Sequence, residues 1–82
     1  MIVAPIHSDI TVYLKKHQLV KKFGKQITLF QENPKHPGLE VELLESKEFK
    51  IYSFRIDKKY RAIFIYLAPQ FVEIIDVNNH YK

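Results

Sequence analysis

The chain contains no cysteine and no tryptophan, only two glycines and four prolines, and only two arginines among its 13 basic residues. Without cysteine there is neither a disulfide framework nor a thiolate metal site. A stapled secreted mini-protein is therefore excluded, and a reducing cytoplasm is the expected compartment. Gly24 and Gly38 stand alone, so no glycine-rich loop is available to cradle a nucleotide phosphate. No stretch approaches the roughly 18 apolar residues of a membrane-spanning helix. Residues 1–6 are shorter than the apolar centre of a signal peptide and run into His7, Ser8 and Asp9, so export is not expected. His7, His17 and His36 lack metal-ligand spacing, and neither a metal nor a cofactor is expected. Serine nucleophile chemistry is poorly served as well. Ser8 suits a helix cap, Ser46 falls in a turn, and Ser53 lies in a strand without an elbow motif.

What is present is 82 residues, 46% hydrophobic and 27% charged, which suits one domain over residues 1–82. A chain of this size hides only about 60–65% of its unfolded surface, so its core is thin. The formal charge of +4 favours polyanionic partners, although small domains often carry such a charge.

Ile2 and Val3 before Pro5 suit a short edge strand, because proline cannot donate to a ladder. Ser8 is placed to cap a first helix with Asp9 in its opening turn and Ile10, Tyr13, Leu14 and His17 along one face. After a break near His17 and Gln18, Leu19, Val20, Phe23, Ile27 and Phe30 form the apolar stripe of a second helix, with Lys21, Lys22, Lys25 and Gln26 opposite. Gly24 weakens that helix, Asn33 and Pro34 stop it, and the two helices are expected to pack as an antiparallel pair. Beyond the turn at residues 34–38 the composition shifts to Ile, Val, Phe and Tyr. Strands are expected at residues 39–44, 49–56, 60–67 and 71–77, forming an antiparallel meander. The fold class is α+β: a short N-terminal strand, two packed helices, then a four-stranded sheet.

Both arginines fall on the hairpin formed by the second and third of these strands. If its loop is the three residues Asp57, Lys58 and Lys59, then Ile56 faces Tyr60 and Arg55 faces Arg61, and both guanidinium groups leave one sheet face. Adjacent cationic forks repel, and a phosphate between or beside them would match their geometry. The alternative is that each arginine pairs with Glu40, Glu42 or Glu73 across the sheet. The tail ends in His80 and Tyr81. His80 is either a solvated imidazole or, if the tail returns beside Arg61, a group that titrates near neutral pH beside a stacking ring and a phosphate clamp. That set would make a metal-free ribonuclease site. Lys15, Lys16 and the lysines of the second helix, with Lys58 and Lys59 in the hairpin loop, read as solvated charge or as contacts along an RNA backbone.

The run from Tyr52 to Arg61, YSFRIDKKYR, followed by Ala62, Ile63 and Phe64 and closed by His80 and Tyr81, resembles the RelE/ParE superfamily of bacterial toxin–antitoxin systems. It is most similar to the YoeB-like and RelE-like mRNA interferases, and the order of elements along the whole chain is also the superfamily's. The resemblance implies a toxin that cuts mRNA in the A site of the 70S ribosome, without metal, by attack of the ribose 2′-hydroxyl on the adjacent phosphodiester. It implies that Arg61 stabilises the scissile phosphate, that Arg55 contacts RNA, and that His80 and Tyr81 assist proton transfer and hold the nucleotide. The general base is open among Glu40, His36 and His80, because YoeB-like toxins place a glutamate where this chain has residues 36–39. Lys47 and Lys50 lie where RelE-like toxins use lysines, and with Lys58 and Lys59 they are candidate RNA contacts. The implied partners are a cognate antitoxin, in a hetero-oligomeric complex that binds operator DNA, together with ribosome and mRNA. Two other functions fit the same resemblance: a ParE-like inhibitor of DNA gyrase, or a degenerate member that only binds its antitoxin.

Overall fold

A computed structural model describes residues 1–44 and 48–80. Strand β1 (Ile2–Val3) leads into helix α1 (Ser8–Lys16) and helix α2 (Val20–Glu32). A single 3-10 turn at Pro37–Leu39 follows, then β2 (Glu42–Leu43), β3 (Ile51–Arg55), β4 (Arg61–Ala68) and β5 (Phe71–Asn78). The strands form one sheet in the order β1-β5-β4-β3-β2, antiparallel throughout except for β1, which lies parallel to β5 at one edge. Among the described residues, no helix is long and apolar enough to cross a membrane.

Helix α1 presents Ile10 and Leu14 to the core, and α2 presents Phe23 and Phe30. Phe30 is fully buried, with its ring centroid 5.2 Å from Phe54 of β3 and 5.0 Å from Phe64 of β4, while Phe23 lies 6.3 Å from Phe54. These rings fasten α2 to the centre of the sheet, where burial of each large apolar side chain contributes about 1.5–3 kcal/mol. Ala62, Phe64, Val72, Ile74 and Val77 complete the core from β4 and β5.

Several boundaries depart from the sequence reading. Ser8 begins α1 instead of capping it: His7 is the cap residue, it makes no side-chain cap bond, and its Nε2 lies 2.7 Å from Glu73. Val20 is half exposed and stands outside the apolar stripe of α2. The expected strand at residues 39–44 shrinks to Glu42–Leu43. Its first part is taken by the 3-10 turn, which anchors Leu39 in the core, and by Glu40, which adopts the left-handed conformation (φ 44°, ψ 54°). Glycine-free backbone in that region is uncommon, and the change of direction there ends strand geometry. The predicted break between the helices is present, with Gln18 at φ 58°.

Gly24 does not interrupt α2, and a Cβ built on it meets no atom within 4 Å. Gly24→Ala is expected to stabilise the protein by roughly 0.5–1 kcal/mol, because alanine restricts the unfolded chain at no steric cost. Urea unfolding would show this as a higher midpoint at unchanged slope.

Candidate functional site

The hairpin joining β3 to β4 forms as its residue count predicts. Asp57, Lys58 and Lys59 make the loop, the Ile56 amide donates to the Tyr60 carbonyl at 2.9 Å, and Arg55 stands directly opposite Arg61. The Asp57 carboxylate ties the loop together by accepting from the amides of Lys59 and Tyr60, each at 2.8 Å, and it meets the Lys22 ammonium of α2 at 3.1 Å. Burial acts to raise the Asp57 pKa. The two amides and Lys22 outweigh it and hold the carboxyl below its usual range.

Both arginines leave the sheet face away from the helices, and Glu40 receives both. The Arg55 guanidinium donates to the Glu40 carboxylate, and the Arg61 guanidinium donates to the Glu40 main-chain carbonyl. The left-handed turn at Glu40 thus serves the two forks with one residue, its side chain for one and its backbone for the other. The hydrogen bond from Arg55, then its charge, hold the Glu40 carboxyl below its ordinary pKa. Partial desolvation opposes this, and the Arg61 charge adds to it. Glu40 is consequently an ionised acceptor at neutral pH.

Two residues that carried no site role in the sequence position this pair. Ser53 is fully buried, and its hydroxyl accepts from Arg61 Nε at 2.8 Å, which fixes the plane of the guanidinium. Its signal lay in the strand alternation, since Ser53 and Arg55 share a face and a serine there can reach Arg61 diagonally across the hairpin. Gln26 of α2 donates through Nε2 to the carbonyls of Arg55 (2.6 Å) and Gly38 (3.2 Å), linking the helix to β3 and to the turn that presents Glu40. No sequence pattern distinguishes it from the other polar residues of that helix face.

An open groove of about 290 Å³ is lined by Glu40, Glu42, Arg55, Asp57, Lys58, Lys59 and Arg61. Of the predicted site residues, Arg55, Arg61, Glu40, Lys58 and Lys59 therefore come together. His36 does not line the groove; its Nδ1 accepts from the Gly38 amide at 2.9 Å and caps the 3-10 turn. Lys50 lies beyond the far end of β3 from Arg55, in a different cleft with Tyr52 and Tyr66. His80 is exposed and also outside the groove lining. It follows Asn78, the residue paired with Arg61, by two positions, which puts the tail at the same end of the sheet as the arginines. Lys47 and Tyr81 lie outside the described residues. Of the acidic partners considered for the arginines, Glu40 is used, while Glu73 pairs with His7.

Because the Asp57 pKa is depressed in the folded state, its contribution to stability is present above the unfolded carboxylate pKa and is lost as pH falls through the folded value. Asp57→Asn is expected to cost about 1–2 kcal/mol at pH 7 and less at an acid pH below the unfolded carboxylate range, where the contribution falls away as the depressed folded value is approached. Paired urea titrations at the two pH values measure the difference.

No protein-family model matches the chain, and no curated protein matches it in sequence. Solved structures do match in shape. The YoeB/ParE toxin from Agrobacterium tumefaciens superposes with a TM-score of 0.70 at 19% identity, over 98% of this chain and 96% of that one. YafQ from E. coli strain BL21(DE3) gives 0.72 at 13% identity, over 96% and 90%. A heterotetrameric YoeB–YefM toxin–antitoxin complex from Staphylococcus aureus gives 0.65 at 23% identity, over 98% and 94%. The likeness extends from β1 to the end of β5, so the resemblance carried by the hairpin motif is met by the whole architecture: this chain has the fold of the YoeB/ParE and YafQ structures.

Proposed function

We propose that this protein is a YoeB-like toxin of the RelE/ParE superfamily, a metal-independent endoribonuclease that cuts mRNA in the ribosomal A site and is held inactive by a cognate antitoxin. The observation that carries the reading is the convergence of Arg55, Arg61 and the Glu40 carboxylate on one open groove at the end of the hairpin. The structural likeness to a YoeB/ParE toxin and to a YoeB–YefM complex supports it, the latter also supporting an antitoxin partner.

In the proposed reaction the ribose 2′-oxygen bonds to the adjacent phosphorus as the bond to the 5′-oxygen of the next nucleotide breaks. A 2′,3′-cyclic phosphate and a free 5′-hydroxyl result. Charge builds on the non-bridging oxygens, where the planar Arg61 fork is held by Ser53, and Arg55 adds the second cation. Of the three candidates for the base, Glu40 alone lines the groove, and Arg55 keeps it deprotonated and ready to take the 2′-proton. Its low basicity is compatible with a slow intrinsic reaction that depends on the substrate being presented in strained geometry, as a ribosome can do. His80 supplies the proton to the leaving 5′-oxygen, and Tyr81 holds the nucleotide. Lys58 and Lys59 meet the backbone beside the cut.

Induced expression is expected to arrest growth and to create new mRNA 5′ ends, mapped by primer extension, that appear in purified reactions only with ribosomes present. Arg61→Ala should lower the cleavage rate by about 10²–10³, the range for loss of one oxyanion donor, and Glu40→Gln and His80→Ala should slow it by about 10² or more each. Growth arrest without new 5′ ends would remove the nuclease reading, and trapped gyrase–DNA complexes in the same cells would put the gyrase reading in its place.

A further inference from the structure

The helix side of the same hairpin carries a second cleft, of about 480 Å³, lined by His17, Leu19, Lys22, Asp57, Lys58, Lys59 and Tyr60. Two rings, His17 and Tyr60, line it, and Tyr13 packs against both. The His17 centroid lies 4.2 Å from Tyr13 and 5.5 Å from Tyr60, and Tyr13 and Tyr60 meet edge-on at 6.2 Å. The Tyr60 hydroxyl and His17 Nδ1 are 3.2 Å apart, and Nε2 has no protein partner among the described residues. Around these rings stand three ammonium groups, on Lys22, Lys58 and Lys59, against one carboxylate, Asp57, whose oxygens are already engaged by two amides and Lys22.

Half-buried rings beside Lys58 and Lys59, which form no ion pair among the described residues, and beside the exposed ammonium that Lys22 shares with Asp57, form the combination that single-stranded nucleic acid recognises. The base stacks on an aromatic face, and its phosphates follow the positive charge. The position in the fold strengthens the argument. Tyr60 and Arg61 are consecutive, so they face opposite sides of the sheet, and Asp57, Lys58 and Lys59 line both clefts. A strand leaving the arginine groove over the hairpin tip meets this cleft next.

We infer that the His17–Tyr60 cleft is a nucleotide subsite that binds single-stranded RNA flanking the cut, with a base on the rings and its phosphate between Lys22 and Lys58. The inference rests on the ribonuclease reading and names a substrate contact beyond the arginine groove. It gives the hairpin two recognition faces, one for the reacting linkage and one for a flanking nucleotide.

The test is binding, without cleavage, of a fluorescently labelled octaribonucleotide carrying 2′-deoxy sugars at the cut, followed by anisotropy over a range of salt and compared with a dinucleotide of the same kind. His17→Leu should weaken octanucleotide binding about fivefold or more. Lys22→Gln, which removes an exposed ammonium together with its ion pair to Asp57, should weaken it and reduce the log–log salt slope by about 0.7. Neither change should alter dinucleotide binding, which depends on the arginine groove. Octanucleotide affinity unchanged in both variants but weakened by Arg61→Gln would overturn the subsite and leave the proposed function standing. Equal losses for the dinucleotide would also overturn it, because the variants would then be acting through the position of the hairpin. Failure of the unaltered protein to bind the octanucleotide would overturn the subsite and leave the proposed cleavage to its own test with ribosomes.

Discussion

Two guanidinium groups at paired positions of an antiparallel hairpin repel each other, and neither can leave without breaking the strand register that buries Phe54 and Phe64. The repulsion is answered by Glu40, which meets one fork with its carboxylate and the other with its carbonyl. Glu40 presents both groups from a left-handed conformation just after the 3-10 turn. The turn is itself fixed from behind, by Leu39 in the core and by Gln26 reaching from α2. The chemistry of the site therefore depends on the packing of α2 against the sheet, through the stacked rings of Phe23, Phe30 and Phe54.

In the proposed reaction this arrangement would give Glu40 two competing tasks. As counter-ion it keeps the arginines together before substrate arrives. As the nearest carboxylate it would also have to accept a proton once a phosphate takes its place on Arg55. The groove holds four cationic side chains and three acidic ones, and it is open to solvent. Such a surface has little grip of its own on a small ligand, since exposed ion pairs are worth about 0–1 kcal/mol each. It suits a substrate delivered by a larger assembly better than one captured from solution.

Much of this was legible in the sequence because it depends on short-range pattern. Helical spacing marked α1 and α2, and counting the residues between Arg55 and Arg61 was enough to set the two forks opposite each other. The features that escaped are set by tertiary contacts. The strand expected at residues 39–44 lost its first half to a turn that exists because Leu39 has a place in the core. The pairing of β4 with β5 skips Ile75, so Val77 turns inward where plain alternation from Val72 and Ile74 would have placed Asp76. Ser53 and Gln26 bond to partners eight and more residues away, and no local spacing announces such bonds. Lys50 is close to the site in the sequence and far from it in the fold, because β3 runs its full length between them.

With only two arginines in the chain, the arginine Nε–H region of a ¹⁵N-correlated NMR spectrum holds two resonances, one for each fork. Titration with a 2′-deoxy dinucleotide monophosphate, which cannot be cut, reads the shared groove without reference to catalysis. If Arg55 and Arg61 grip one phosphate, both resonances move together along the same saturation curve, and the Glu40 carboxyl carbon shifts with them as it gives up Arg55. Movement of one resonance alone, or of neither at concentrations that perturb the lysines, would contradict a common anion site.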